Sequence, residues 1–305
     1  MAARLGFYVR LKGLPSLASN IYSCGEVDAV TVQEVLCKSA LVKSGISDYA
    51  LNPYTGCAHG CVYCYASFMA RFSRHGLPWG QWVDVKVNIA DVLTKELRGK
   101  RLRDAGTPPQ VIISSVTDPY QPLERTYKLT RACLEAIAAV CASRAPLNVS
   151  ILTKSDLVLR DIDLLQRIPG IEVGMTVTTA DDSVSRLYER GACPSSKRLA
   201  ALRRLSDSGV RTWAFFGPVL PYHSDSEQVV QAILSLLQDA GVTKVLVDRF
   251  NPYPAAVNRF LRVAPTEVRQ AFEEYRSRPE EYLARLRDVV LEIAAHLGVS
   301  VEVLF

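Results

Sequence analysis

From about residue 26 onward, short apolar runs alternate with longer amphipathic stretches, and this alternation limits the folds open to the chain. Several apolar runs are apolar almost throughout, which is typical of parallel strands buried on both faces. Parallel strands need crossover connections, and helices commonly supply them. The pattern therefore predicts an α/β fold. Strands are expected at residues 49–53, 111–116, 148–153, 171–177, 212–216 and 243–247.

Helical patterns fill the intervals between these strands. They cover residues 61–74, 89–98, 130–142, 161–167, 195–208 and 226–240. Strand–helix units joined by right-handed crossovers predict a partial (βα)6 TIM-like barrel. We expect an N-terminal extension at 1–35, the barrel at 36–255, and a C-terminal helical cap at 256–305 that contains two amphipathic helices.

Composition narrows the class of protein. Hydrophobic residues make up 49% and charged residues 22% of the chain, which excludes wholesale disorder. The net charge of +5 is too small to require a nucleic-acid partner and does not exclude one. No apolar run reaches the ~18 residues of a membrane-spanning helix, and residues 1–20 lack the pattern of a secretory signal. We therefore expect a cytoplasmic protein without a membrane partner, in which the eight cysteines are reduced.

Three of these cysteines lie close together after the first predicted strand. Cys57, Cys61 and Cys64 are spaced by four and three residues, and Gly56 and Gly60 allow the intervening backbone to turn tightly. Three thiolates in this arrangement can bind three irons of a [4Fe–4S] cluster. The fourth iron then has no local protein ligand, and an open metal position is where a substrate or cofactor can coordinate.

The cysteines have two other interpretations. A zinc site usually needs four ligands in paired groups, but only Cys61 and Cys64 form such a pair. His59 is a possible fourth ligand, although it lies on the same tight loop between two of the cysteines. Alternatively, the cysteines are structural. The spacing favours the cluster, and a non-catalytic iron–sulfur or zinc module remains an alternative to an enzyme.

The CxxxCxxC pattern with Tyr63 before the last cysteine resembles the radical SAM superfamily. Other segments resemble the branch that contains spore photoproduct lyase and its uncharacterised relatives. These segments lie at residues 38–41, 48–54, 115–124, 153–155, 160–161 and 217–221. The resemblance covers about residues 36–255.

This resemblance implies an enzyme with one [4Fe–4S] cluster bound by Cys57, Cys61 and Cys64. It implies that S-adenosylmethionine binds the open iron and is cleaved reductively to a 5′-deoxyadenosyl radical, which abstracts hydrogen from an unidentified substrate. Lyase-type and transferase-type radical reactions both remain open. The expected partners are a small-molecule or nucleic-acid substrate and an external one-electron donor such as flavodoxin or ferredoxin.

Four residues are expected to contact the cofactor. Thr117 follows the second predicted strand, and the resemblance implies that its turn positions S-adenosylmethionine. Lys154 follows the third strand and can pair with a carboxylate, or else is an ordinary solvated lysine. Thr178 follows the fourth strand, where a β-branched residue is common in any case. Tyr63 is expected near adenine or in the core.

One departure from spore photoproduct lyase affects the predicted reaction. The resemblance implies that the lyase returns hydrogen from a cysteine near the end of its second strand, where this chain has Ser114 and Ser115. A serine O–H bond is too strong for that step, so we assign no catalytic residue. Repair or modification of nucleic acid remains an alternative, and the basic residues of 95–103 can contact phosphates or be solvated.

Overall fold

The computed structural model describes residues 30–99, 107–142 and 147–305, together with the backbone of Val9–Arg10. The chain divides into two compact units that interleave in sequence. Unit 1 comprises residues 1–60, 69–153 and 160–172, and unit 2 comprises residues 61–68, 154–159 and 173–305. The predicted domain boundaries at 35 and 255 stay a prediction.

Strands and helices alternate along most of the described chain. The strands are β1 Val9–Arg10, β2 Thr31–Leu36, β3 Leu41–Lys43, β4 Tyr49–Leu51, β5 Tyr54–Gly56, β6 Trp82–Lys86, β7 Gln110–Ile113, β8 Asn148–Thr153, β9 Glu172–Thr176, β10 Arg211–Val219, β11 Val245–Arg249 and β12 Val301–Val303. The α-helices are α1 Ile89–Arg98, α2 Glu124–Tyr127, α3 Leu129–Cys141, α4 Ile162–Leu165, α5 Asp182–Tyr188, α6 Ser195–Asp207, α7 Glu227–Asp239, α8 Pro254–Val263, α9 Thr266–Ser277 and α10 Pro279–Leu297. Two 3₁₀ helices span Tyr65–Phe72 and Asp156–Asp161.

Unit 1 contains strands of two sheets. In the first sheet the order is β1-β2-β6-β5, and β2 pairs with β6 in parallel while β5 pairs with β6 antiparallel. In the second, β4, β7 and β8 pair in parallel, and β3 pairs antiparallel with β4 at the edge. Alternate residues of β8 are buried, as expected for a strand that packs one face on a core.

Unit 2 is built on strands in the order β12-β11-β10-β9, with β10, β11 and β12 parallel. Apolar side chains from these strands and from α6, α7 and α10 form one buried core. Helix α7 begins where the side chain of Ser226 accepts a hydrogen bond from the backbone N–H of Val229, and such a cap supports a helix start.

The predicted α/β class is confirmed, with a largely parallel sheet. Each of the six predicted strands is present, although most have shifted ends; the first ends at Leu51 because Pro53 has no N–H to donate. The described strands do not close into a barrel, so the predicted barrel is not confirmed. Within the described ranges, no helix is both long and apolar enough to cross a bilayer.

The predicted helix at 61–74 is wrong. Hydrogen bonds in this segment join residues three apart, from Cys64 N to Cys61 O and from Ser67 N to Cys64 O. Such bonds produce turns and 3₁₀ helix rather than α-helix. The cysteines therefore lie on turns, and the helical part begins only at Tyr65.

The cap contains three helices rather than the two predicted. Pro265 and Pro279 explain the difference, because proline lacks an N–H and starts a helix more readily than it continues one. Helix α9 follows Pro265, and Pro279 occupies the first turn of α10. The sheet that contains β5 and β6 was also not predicted, because its strands are short and Gly56 ends one of them.

Candidate functional site

The first part of the cysteine segment belongs to unit 1 and turns at two glycines. The N–H of Gly60 donates to the carbonyl of Cys57 at 3.2 Å, which closes a turn around His59. Gly56 has φ of +83°, and a Cβ there would lie 2.4 Å from the carbonyl oxygen of Trp82. Only glycine fits this approach without displacing backbone.

The turn after β7 holds this part of the segment in place. The hydroxyl of Thr117 donates to the carbonyl of Gly56 at 2.5 Å. The side-chain oxygen of Gln121 accepts from the backbone N–H of Ala58 at 2.8 Å, and Gln121 is fully buried. Thr117 therefore bonds to the backbone that precedes Cys57.

His59 is engaged by a carboxylate. Its Nδ1 lies 3.3 Å from Asp118 Oδ2, and the hydroxyl of Thr153 donates to the other carboxylate oxygen of Asp118 at 2.7 Å. Among the described residues, no three or more His, Cys, Asp or Glu side chains are grouped to hold a metal ion. A cubane cluster needs no such convergence, since each thiolate binds a different iron.

The second part of the segment belongs to unit 2 and is held by its backbone. Arg259 of α8 donates from its guanidinium to the carbonyls of Val62 and Cys64, each at 3.1 Å. The N–H of Val62 donates to the carbonyl of Tyr188 at 2.9 Å. These contacts fix the backbone around Cys61 and Cys64 and leave both side chains as free thiols.

A buried ion pair lies beside this part of the segment. Glu189 and Arg198 pair with each other, and both are essentially inaccessible to solvent. The hydroxyl of Tyr63 donates to Glu189, and the hydroxyl of Thr178 donates to the same carboxylate oxygen at 3.2 Å. Arg198 is satisfied further by the carbonyls of Thr176 and Cys193. Burial raises the pKa of Glu189, but Arg198 and Lys154 outweigh it and hold the pKa below its ordinary value.

Lys154 adds a second cation to this group. Its ammonium lies 5.7 Å from the centroid of the Tyr63 ring, within the range of a cation–π contact. Burial lowers the pKa of Lys154, but Cys61 and Glu189 outweigh it and hold the pKa above its ordinary value. The lysine is therefore charged, and its carbonyl accepts from the thiol and the N–H of Cys193.

The donor set of unit 2 fits an anionic metal centre. The side chains of Lys154, Arg198 and Glu189 lie near the Cys61 thiol, and Arg259 lies near the thiol of Cys64. Burial raises the pKa of Cys61 to about 12, and burial also raises that of Cys64. Such thiols ionise when a metal replaces their protons, and nearby cations favour the resulting negative charge.

Ser114 follows β7 in unit 1 and has two unusual features. Its φ is +68°, which is uncommon for a residue with a side chain. Its buried hydroxyl has no hydrogen-bond partner among the described residues. A strained backbone and an unsatisfied buried hydroxyl are both typical of functional positions.

Comparison with protein families decides the class. Residues 51–233 match the radical SAM superfamily. The chain belongs to the radical SAM superfamily. The predicted resemblance to this superfamily is therefore confirmed, and the matched range contains Cys57, Cys61 and Cys64.

Several relatives of this radical SAM protein are uncharacterised. An uncharacterized protein of Methanocaldococcus jannaschii is 39% identical over 183 residues, which cover 60% of this chain and 64% of the relative. An uncharacterized protein of Mycobacterium tuberculosis is 32% identical over 288 residues, which cover 88% of this chain and 82% of the relative. A radical SAM Nalpha-GlyT isomerase of Pseudomonas phage M6 is 25% identical, over 73% of this chain and 44% of the isomerase.

The chain has a fold similar to that of solved structures of spore photoproduct lyase. A mutant of spore photoproduct lyase with bound AdoMet and dinucleoside spore photoproduct superposes with a TM-score of 0.66 at 15% identity. The match covers 97% of this chain and 87% of the lyase. At this identity the likeness shows the fold alone.

The radical SAM core of unit 2 contains residues that the sequence did not reveal. Tyr63, Lys154 and Thr178 were expected to contact the cofactor; in the structure Tyr63 and Thr178 both bond to Glu189, and Lys154 lies over the Tyr63 ring. Neither Glu189 nor Arg198 was assigned a role. A signal was present, since Arg198 lies three, four and seven residues before the buried Ala201, Leu202 and Leu205 and thus falls on the apolar face of α6.

Proposed function

We propose that Cys57, Cys61 and Cys64 bind a [4Fe–4S] cluster and that the protein is a radical SAM enzyme. The free thiols of Cys61 and Cys64 beside Lys154 and Arg198 are the observation that carries this proposal. When bound, the cluster and S-adenosylmethionine supply reductive cleavage of a sulfur–carbon bond and a carbon radical that abstracts hydrogen. The chain's residues bind, orient and shield these groups.

Lys154 is the proposed direct contact to the carboxylate of S-adenosylmethionine. Its charge is retained, and the Tyr63 ring and the Cys193 segment restrict its position. Thr117 donates its hydroxyl to Gly56 and accepts from the side-chain amide of Gln121 at 3.1 Å, which leaves one oxygen lone pair for a cofactor hydroxyl or ammonium group. Thr178 donates to Glu189 and is proposed to accept from the cofactor in the same way. Tyr63 is proposed to contribute its backbone beside the cofactor, because Lys154 lies over its buried ring and its hydroxyl bonds to Glu189.

The proposal also includes the type of fold, the location of the protein and its electron donor. The likeness to spore photoproduct lyase supports a partial barrel of the radical SAM type. We further propose a cytoplasmic enzyme that receives electrons from a donor such as flavodoxin or ferredoxin.

A second candidate function is modification or repair of a nucleobase. Two similar proteins favour it: the phage isomerase carries Nalpha-GlyT in its name, and the lyase binds a dinucleoside spore photoproduct. Ser114 and Ser115 offer no thiol at the end of β7, so the reaction differs from one that returns hydrogen from a cysteine there. We therefore propose a nucleoside-derived substrate without assigning the lyase reaction.

Anaerobic reconstitution tests the cluster proposal. We expect about four irons per chain, and production of 5′-deoxyadenosine from S-adenosylmethionine when dithionite is added. Cys61→Ala should lose both properties. Cys141→Ser is the matched control, because Cys141 is a free cysteine of α3 outside the segment, and it should retain both.

Two outcomes would contradict the enzyme. Bound zinc without iron, or a stable cluster that never cleaves S-adenosylmethionine, would favour a non-catalytic metal module. The substrate class is tested separately with deuterated nucleosides. Transfer of deuterium into 5′-deoxyadenosine supports a nucleoside substrate, and transfer only from another class of compound rejects it.

A further inference from the structure

The turn after β10 presents an aromatic side chain to solvent from a strained backbone. Tyr222 has φ of +76°, and 55% of its surface is exposed. A positive φ is a genuine outlier for a bulky residue, and such conformations persist only where the surroundings impose them. Glycine would adopt the same conformation without strain. The tyrosine therefore contributes something that the turn itself does not require.

The turn is rigid enough to impose this conformation. The carbonyl of Leu220 accepts from the N–H groups of His223 and Ser224, at 3.1 and 3.0 Å. The buried hydroxyl of Ser224 accepts in turn from the N–H of Leu220 at 2.8 Å. Tyr222 is the one residue of this turn with an exposed ring, and its backbone is fixed on both sides.

A continuous series of rings connects Tyr222 to the interior of unit 2. The Tyr222 and His223 rings meet edge to face with centroids 5.4 Å apart, and His223 and Tyr188 do the same at 5.4 Å. Tyr188 stacks on Phe260 at 4.8 Å. The hydroxyl of Tyr188 also lies 3.0 Å from His223 Nε2, which fixes the imidazole. The exposed ring is thus supported by buried ones.

This series reaches the cysteine segment. The carbonyl of Tyr188 accepts from the N–H of Val62, which lies next to Cys61. Tyr188 and Leu220 belong to the same buried core as Cys61 and Tyr63. The turn is therefore anchored to the part of unit 2 that holds the proposed cofactor site.

The charges around the turn indicate which chemistry fits it. Asp225 follows in the same turn, and Asp181 precedes α5. Both carboxylates act to raise the pKa of His223. Burial outweighs them and lowers the pKa of His223, so the imidazole is neutral at neutral pH. Asp225 also accepts from the hydroxyl of Tyr282 at 2.7 Å. The two carboxylates repel a phosphate, whereas they do not repel an uncharged planar ring.

We propose that Tyr222, supported by His223, is a stacking platform for the base of a nucleoside substrate. The inference rests on the proposed nucleoside substrate and adds the residue that selects it. Stacking on an aromatic side chain accepts any base face, and the nearby carboxylates select against phosphate-rich ligands. The strained backbone is maintained because it directs the ring outward, where a base can lie against it.

Binding of thymidine to the cluster-loaded protein, measured by equilibrium dialysis, tests the platform. Tyr222→Gly should weaken thymidine binding by about 5- to 150-fold, the range for loss of one stacked base. The same variant should unfold at a higher urea concentration, because glycine relieves the strain at φ of +76°. Tyr222→Phe keeps the ring and should bind thymidine within about twofold of the unmodified protein, since stacking uses the ring face.

Lys128→Gly is the matched control. Lys128 is also exposed and has φ of +52°, at the end of α2 in unit 1. This variant should raise the urea midpoint and leave thymidine binding unchanged. If Tyr222→Gly stabilises the protein without weakening thymidine binding, Tyr222 is only a strained surface tyrosine and the proposal is overturned.

Other results would also overturn it. These are no thymidine binding at millimolar concentration by the unmodified protein, tighter binding of N-acetyltyrosinamide than of thymidine, or an equal loss of S-adenosylmethionine binding in Tyr222→Gly. Cleavage of S-adenosylmethionine without thymidine is measured in parallel. That activity tests the cluster and cofactor, so failure of the platform is distinguishable from failure of the enzyme.

Discussion

At the residue scale, each unit contains a buried carboxylate that joins a tyrosine to an arginine. In unit 2 it is Glu189, with Tyr63 and Arg198. In unit 1 it is Glu124, which accepts from the hydroxyl of Tyr54 and from the guanidinium of Arg160 at 2.7 Å. Tyr54 precedes the cysteines and Tyr63 lies between two of them. Both parts of the cysteine segment are thus fixed by a phenol that bonds to a buried, charge-balanced glutamate.

Glu189→Gln should destabilise the protein. The amide has almost the same shape, but Arg198 is left charged and buried without its counterion. Removing one partner of a buried pair costs about 3–5 kcal/mol, and urea denaturation measures it as a lower midpoint. Cluster content should also fall, because Tyr63 loses an ionised acceptor.

Two further variants show whether the buried charge accounts for the loss of stability in Glu189→Gln. Glu273→Gln removes an exposed glutamate that pairs with Arg276, and it should change stability by less than about 1 kcal/mol. Tyr63→Phe leaves the Glu189–Arg198 pair intact and should cost about 1–3 kcal/mol, the range for one lost partner of a buried group. If all three variants lost stability equally, the buried pair would have no special role.

At the element scale, the end of β5 depends on a glycine for two separate reasons. Gly56 requires a positive φ, and it also leaves no room for a Cβ against Trp82. Gly76 has φ of +64° and no atom within 4 Å of a Cβ placed there. The two positions therefore separate the cost of backbone conformation from the cost of a steric clash.

Gly56→Ala should be far more damaging than Gly76→Ala. Alanine at 76 lowers the free energy of unfolding only through the left-handed conformation, by about 1–2 kcal/mol. The alanine at 56 adds a contact of 2.4 Å with the carbonyl of Trp82, so β5 and β6 must separate. We expect a lower urea midpoint and a reduced iron content for Gly56→Ala. Equal effects at the two positions would contradict the close approach.

The turn after β10 makes stability depend on pH. Burial lowers the pKa of His223 below its ordinary 6.5, while Asp181 and Asp225 act in the opposite direction and Tyr188 contacts the ring. The unfolded chain then binds a proton that the folded chain does not, so stability falls as pH decreases below about 6.5.

Replacing the histidine tests this pH dependence. His223→Gln should lose less stability than the unmodified protein when urea denaturation at pH 7.5 is compared with that at pH 5.5, because glutamine does not titrate. His296→Gln is the control, since His296 lies in the last turn of α10 outside this turn. A steeper loss in His223→Gln would mean that the carboxylates outweigh burial.

At the scale of the whole molecule, regular helices and strands could be predicted from the sequence better than turns and irregular segments. Helix α1 has the predicted bounds, because its apolar residues recur at helical spacing and Gly99 ends it. The cysteine turns were predicted as helix, since spacing alone does not separate a 3₁₀ turn from an α-helix. Contacts between distant residues, such as Arg259 with Cys64, leave no local pattern and could not be predicted.

The candidate site could likewise be predicted only where its residues leave a local pattern in the sequence. The cysteines were identified because metal-ligand spacing is a local signal. The pairing of Glu189 with Arg198 depends on how the turn between α5 and α6 folds, and the sequence contained only the hint of an arginine on an apolar helix face. Ser114 and Tyr222 were not expected to have positive φ, because neither residue type favours it.

Loading of the cluster should stabilise the whole chain. A group that binds the folded protein and not the unfolded one adds stability in proportion to RT ln(1 + [L]/Kd), about 4 kcal/mol at a thousandfold excess over Kd. The thiols of Cys61 and Cys64 are free and their backbone is already fixed by Arg259, so little ordering opposes binding. Reconstituted protein should therefore have a higher urea midpoint than chelator-treated protein, measured without oxygen. Cys61→Ala should show no difference between the two preparations, whereas Cys141→Ser should show the full one. If chelation leaves the urea midpoint of the unmodified protein unchanged, the cysteine segment does not bind a group that stabilises the folded chain.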